Sequence, residues 1–151
     1  MKNLPAAVEG SVIRGLQSAT LRMVGVVTDE IDNMQLVDMG DLRRSVTADM
    51  SPRGGHIEVK SPHAAPIENG TRPFMPPIKP LEEWVKRKGL HLRTRKEDSN
   101  AKSIAWAIAM KFKKYGMKPR HYFKTAWQQA PQIAREEVNR ELAKFSWDDV
   151  V

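Results

Sequence analysis

The sequence predicts an α+β fold, in which a long N-terminal helix packs on a small antiparallel β-sheet and a proline-rich extended loop leads into C-terminal helices. Three observations predict it. Apolar residues recur at three- and four-residue steps over Leu4–Met34. Apolar and polar residues then alternate on both sides of a Pro52-Arg53-Gly54-Gly55 turn signal. Helical periodicity returns only after Ser61–Pro80, a tract that holds six of the ten prolines.

In the first helix Val8, Val12, Leu16, Ala19, Met23, Val26 or Val27, and Ile31 share one stripe. Pro5 suits the first turn, where no N–H is needed. Gly10, Gly15 and Gly25 each weaken a helix by roughly 1 kcal/mol against alanine. The helix therefore requires a packing partner, or its small residues admit a close neighbour. Asp38-Met39-Gly40-Asp41 breaks the pattern. Leu42–Met50 alternates as a half-buried strand, and His56–Ser61 returns as a second one. A hairpin alone is marginal and needs a further strand or a helix against it.

The prolines of the next tract disfavour regular helix and central strand. An ordered, extended arm is expected there, since Ile67, Phe74, Met75 and Ile78 are apolar and favour burial. Asn69-Gly70 marks a turn with Gly70 at positive φ, and the Thr71 hydroxyl is suited to bond a backbone group. A short helix should open at Pro80, with Glu82 and Glu83 in its first turn and bases in its last, and stop at Gly89. After a polar, mobile loop, Ser99 or Asn100 should cap a helix through Tyr115. Its stripe is Ile104, Ala105, Ile108, Phe112 and Tyr115, and Gly116 is its C-cap. A last helix should run from His121 or Tyr122 to about Phe145, kinked or divided at Pro131. The expected organisation is a single domain over 1–151: helix 1–38, hairpin 42–61, proline-rich arm 62–80, and a helical part 80–145 with the mobile loop near 89–100.

The 151 residues suffice for one modest core, and the mixed, high charge is not a disordered composition. No apolar run has the length of a membrane span, and Met1–Pro5 lacks the apolar core of a signal peptide. The absence of cysteine excludes a disulfide framework and a thiol nucleophile, and it fits a reducing cytosol. The net charge is +7, unevenly placed. Ala101–Thr125 holds seven basic residues and no acid, and Arg93, Arg95 and Lys96 lie just before it. Such asymmetry fits an anionic partner, nucleic acid or an acidic protein surface. It equally fits a solvated helix face with a flexible basic loop.

Catalytic constellations are not visible. The four histidines are scattered, with no partner at metal-ligand spacing. Glu82 and Glu83 diverge around a helix, and neither a nucleophile elbow nor a phosphate loop is present. Glu68 and Arg72 are placed to form a charged pair. Arg43-Arg44, beside a strand, suits an exposed face or an interface pair. Trp84, Trp106, Trp127 and Trp147 read as core or interface anchors.

Three stretches together resemble one family. Met39-Gly40-Asp41-Leu42-Arg43-Arg44-Ser45-Val46 is similar to its pattern t-G-x-L-r-x-S-i. Ala64-Ala65-Pro66-Ile67-Glu68-Asn69-Gly70-Thr71-Arg72-Pro73 resembles Y-A-x-x-v-E-x-G-T-x-x-x-P, with alanine where an aromatic is usual. Gly116-Met117-Lys118-Pro119-Arg120-His121-Tyr122-Phe123-Lys124-Thr125-Ala126 resembles G-x-x-p-x-x-f-f-x-x-A. The family is the minor tail, neck or tail-completion group of tailed bacteriophages and prophages, which joins heads to tails. The resemblance runs from about Gly40 to Ala126.

It implies a non-enzymatic virion protein without a cofactor, assembled in the host bacterial cytoplasm and located at the head–tail junction. The implied partners are further copies in a ring, six-fold or a multiple of it, a portal-side connector, and a tail terminator or tail tube protein. Packaged DNA in the lumen is a further candidate, and no membrane is involved. The expected interface comprises Arg43, Arg44, Ile67, Glu68, Asn69, Gly70, Thr71, Arg72, Phe74, Met75 and Ile78, with the apolar four filling a groove on a neighbour or on the protomer's own sheet. Arg93, Arg95, Lys96, Lys113, Lys114, Lys118 and Arg120 are candidate anion or DNA contacts. The alternative reading is a nucleic-acid-binding module built on the basic 93–124 region.

Overall fold

A computed structural model describes residues 4–36, 38–90 and 100–144. The architecture is α+β, with the element order α1 (Leu4–Asn33), α2 (Asp41–Arg44), β1 (Val46–Ser51), β2 (Gly54–Val59), α3 (Ala64–Asn69), α4 (Ile78–Arg87), α5 (Ala101–Tyr115), α6 (Tyr122–Trp127) and α7 (Ala130–Ala143). The chain gathers into two compact units, one of residues 1–64 and 121–151, the other of residues 65–120.

The first unit is built along α1, whose 30 residues span about 45 Å. Its buried positions are Ser11, Gly15, Ala19, Met23, Val27 and Ile31, one residue in every four. This differs from the expected stripe at its start, where Val8 is exposed and Val12 and Leu16 are only half-buried. The reason is α7, which packs along the small-residue side of α1. At Gly15 an added Cβ would lie 2.6 Å from Val138 Cα, so only glycine admits this crossing. Further along, Ala19, Met23 and Ile133 close a core that Val26, Ile57, Ala130 and Ala134 flank. Fully burying side chains such as Met23, Val27 and Ile31 contributes about 1.5–3 kcal/mol each.

Charged groups reinforce the α1–α7 pair. Glu137 is almost fully buried and is satisfied from two sides, by Arg22 Nη1 at 3.1 Å and Arg140 Nη1 at 2.7 Å. Arg22 also reaches Glu136 at 2.7 Å, and Arg14 lies 3.5 Å from Glu141. A hydrogen bond from Gln132, then one from Arg22, holds the Glu136 carboxyl below the usual carboxylate range. Lys144, then Arg14, does the same for Glu141.

The sheet is one antiparallel pair, with Val46 opposite Val59 and Ser51 opposite Gly54, closed by Pro52-Arg53. It lies against α1, where Gln17 Nε2 donates to the Ser51 carbonyl at 3.0 Å. The strand expected from Leu42 begins only at Val46. Asp41–Arg44 instead form a helical turn with an acid first and bases last, the polarity a helix dipole favours. Leu42 is its buried residue, and Ser45 Oγ donates to the Leu42 carbonyl at 2.7 Å. The second strand starts at Gly54, two residues earlier than expected, and ends at Val59.

In the second unit α4 packs on α5. Val85, Ala101 and Ala105 are its buried centre, with Ile78, Leu81, Trp84, Ile104 and Ile108 against them. Helix α4 begins at Ile78, so Pro80 is its third residue, and Glu82 and Glu83 lie beyond the first turn. A proline is tolerated there because the first helical N–H groups have no intrahelical acceptor. Glu82 pairs instead with Lys86 one turn on, at 2.7 Å, which lowers the carboxyl's pKa. The same reasoning corrects the first half of the expected extended arm: Ala64–Asn69 is helical, with Pro66 again third. Asn100 Oδ1 accepts from Ser103 N–H at 2.8 Å and caps α5, which ends at Gly116 as expected. The stripe of α5 is shifted toward Ala101, Ala105 and Ala109, and Tyr115, expected inside, is exposed. The expected mobile loop near 89–100 lies, from 91 to 99, outside the described residues.

Back in the first unit, the last helix is divided at Gln128–Gln129, and Pro131 is the second residue of α7. Its expected end at Phe145, and Trp147, lie outside the described residues.

The packing and charge of α1 and α7 make testable predictions. Gly15→Ala should lower stability by about 1–3 kcal/mol in urea unfolding despite alanine's better helix propensity, because the site is overpacked. Gly25 has open space around it, so Gly25→Ala should raise stability by about 0.5–1 kcal/mol. Depressed carboxyls contribute stability above their unfolded pKa, and it is lost as pH falls through the folded one. The thermal midpoint should therefore hold from neutral pH to about 5 and drop below about pH 4. Glu136→Gln should make that drop shallower.

Candidate interaction site

The centre of the second unit is a strap, Gly70–Pro77, laid along the C-terminal end of α5 and the segment 116–120. Its start is fixed by reciprocal hydrogen bonds. Thr71 N–H donates to the Met117 carbonyl at 2.9 Å, and Met117 N–H donates to Thr71 Oγ1 at 3.0 Å. Arg120 N–H donates to the Ile67 carbonyl at 2.9 Å, which ties α3 to the same segment. Phe74 N–H then donates to the Phe112 carbonyl at 3.2 Å, and the two rings stack with centroids 5.8 Å apart.

Two glycines make this approach feasible. Gly70 has φ +72°, as Asn69-Gly70 predicts, and a Cβ there would lie 2.5 Å from the Met117 carbonyl oxygen. Gly116 has φ +70°, and a Cβ there would strike the Thr71 carbonyl. Backbone meets backbone where no side chain fits. Next in the chain after Arg120, His121 takes φ +55° without being glycine, a conformation that costs roughly 1 kcal/mol or more.

The structure thus brings together Ile67, Gly70, Thr71 and Phe74 with Met117 and Arg120. It separates other expected members. Arg43 and Arg44 belong to the first unit, where they pair with Asp32 at 3.0 Å and Asp41 at 2.6 Å. Such exposed pairs are worth about 0–1 kcal/mol. Ile78 packs within the α4–α5 core, and Phe74 stacks on Phe112 within its own unit while remaining 40 % exposed. Glu68 is half-buried on α3, Asn69 and Arg72 are exposed, and Met75 is 42 % exposed on the strap. Lys113, Lys114, Lys118 and Arg120 are all exposed around the same end of α5. Arg93, Arg95 and Lys96 lie outside the described residues.

Two apolar features lie outside the expected interface residues. Trp106 and Met110 are about half exposed on the outer face of α5. Their signal was present, since both fall off the Ile104–Ile108–Phe112 stripe. The other is an open apolar pocket of about 250 Å³ in the first unit, lined among others by Leu16, Met23, Ile57, Trp127 and Ala130. Trp127, expected on the inner face, is half exposed and stacks on Phe123. Among the described residues no three His, Asp or Glu side chains converge on a metal site, and no helix is long and apolar enough to cross a membrane. The chain matches no family model, no curated protein and no solved structure.

The strap can be tested directly. Gly116→Ala should destabilise the protein by about 1–3 kcal/mol, because it combines a left-handed backbone with a steric clash. Thr71→Val should cost a similar amount, about 1–3 kcal/mol, by leaving the Met117 N–H unpaired. Urea unfolding monitored by tryptophan fluorescence reads both.

Proposed function

We propose that the chain is a structural, non-enzymatic component of a tailed phage or prophage virion, a neck or tail-completion protein whose copies close into a ring between the DNA-filled head and the tail. The observation that carries this reading is the strap. Two of the three segments in which the sequence resembles that family, residues 64–73 and 116–126, meet through the Thr71–Met117 and Ile67–Arg120 hydrogen bonds. Gly70 and Thr71, which match the first of these patterns, and Gly116, which matches the second, are the residues on which that junction depends. The resemblance and the packing thus pick out one piece of structure.

A ring of identical protomers requires heterologous contacts that close on themselves. A strap whose shape is fixed in advance loses less entropy when it docks. On this reading the exposed edge of the strap, around Arg72, Met75 and Pro77, contacts a neighbouring protomer or the connector and tail proteins on either side. The six-fold ring, the portal-side connector, the tail terminator or tube, and a virion location after assembly in the host bacterial cytoplasm all belong to this proposal.

The test is electron microscopy of a lysate from the encoding phage with a stop codon at Gln17. Filled heads and finished tails should lie apart. Normal infectious particles would overturn the proposal, and overlong or missing tails would move the protein to tail-length control. In the same phage Met75→Asp should reduce joined particles while the purified variant keeps wild-type stability.

A further inference from the structure

We propose that the outer face of α5 is a surface for double-stranded DNA, held through its phosphates without reading sequence. The inference stands on how the fold sorts charge, independently of the head–tail reading. The 56 residues from 65 to 120 hold 14 Lys and Arg against 5 Asp and Glu, a net of +9. The other 95 residues hold 11 against 13, a net of −2. The basic excess of the whole chain therefore belongs to the second unit.

Pairing deepens the contrast. In the first unit Arg14, Arg22, Arg43, Arg44, Arg140 and Lys144 each bind a carboxylate. In the second, among the described residues, Lys111, Lys113, Lys118 and Arg120 have no acid within ion-pair distance. Lys114 lies over the Tyr115 ring at 5.0 Å. Cations left unneutralised within one field attract a polyanion.

The arrangement on α5 names the class of polyanion. Lys102, Trp106, Met110 and Lys113 follow one another at four-, four- and three-residue steps, so they share one face. All four are exposed, with Lys114 beside them. From Lys102 to Lys113 the helix rises about 17 Å, the length of several phosphate steps along a duplex. The exposed face offers lysines, which are point charges, and α5 contains no Arg, Asn or Gln with which to fork onto base edges. Phosphates are gripped and bases are not read. A single strand would need successive aromatic platforms, and the stripe holds Trp106 alone.

The experiment is fluorescence anisotropy with the full chain and labelled duplexes of about 30 base pairs in two unrelated sequences, across about 50–200 mM salt. With about four phosphates contacted, affinity should fall about 150-fold over that range and be equal for both sequences. Lys113→Gln with Lys114→Gln should flatten the logarithmic salt slope by about 1.8. Arg53→Gln with Arg135→Gln, the same charge change in the first unit, should leave it unaltered. No binding at the lowest salt, or equal loss in both double variants, would overturn the proposal. Tighter binding to a single strand would overturn the duplex assignment. Stronger competition by polyglutamate than by DNA at equal charge would make the partner an acidic protein.

Discussion

The first unit depends on one steric allowance, the absence of a side chain at Gly15. Because α7 comes down onto the α1 backbone there, the two helices share a seam that changes character along its length. It is small at Gly15, beside Val138, and apolar at Ala19 and Met23, against which Ile133 packs. Close approach in turn buries Glu137, and a buried carboxylate is tolerable only when its partners are in place. Arg22 from α1 and Arg140 from α7 meet that condition from opposite sides. The hairpin, marginal alone, acquires its missing partner from the same helix.

The second unit solves a different problem. A tract with so many prolines offers few backbone donors, and a buried carbonyl or N–H left unpaired is costly. Of the donors it keeps, those on Thr71 and Phe74 are used against α5 and the segment after it. The stiffness that removes regular secondary structure also makes the strap's geometry reproducible. The side chains it leaves outside, Arg72 and Met75, are then displayed on a fixed frame.

Much of the fold was legible because periodicity and caps act locally. The ends of α5, the positive φ at Gly70, the Thr71 hydroxyl bond and the division of the last helix just before Pro131 all follow from residue types over a few positions. The misses share one cause in α3 and α4. Proline excludes the interior of a helix but not its first turn, so Pro66 was read as a barrier and Pro80 as an opening residue where both are third residues. The Asp41–Arg44 turn was hidden by an alternation that fits a strand equally well. The seam of α1 was misread near its start, because a buried glycine leaves no apolar letter in the sequence. Of the candidate site, the strap's own turn was legible. Its attachment to Met117 and Arg120, and the self-neutralisation of Arg43 and Arg44, depend on residues brought from elsewhere in the chain.

The two units also differ in how their contacts are spread along the chain. The seam joins Gly15 to Val138 and Arg22 to Glu136, more than a hundred positions apart. The second unit is one uninterrupted segment whose helices are near neighbours in sequence. During synthesis, residues 65–120 are all available to one another while the C-terminal half of the seam is still unmade. The ordering entropy of the long closure falls at the end. Until then the apolar side of α1 has no α7 to cover it, so the nascent chain passes through a stage with one finished unit and one exposed helix face, the stage at which off-pathway association is most costly to a protein of this topology.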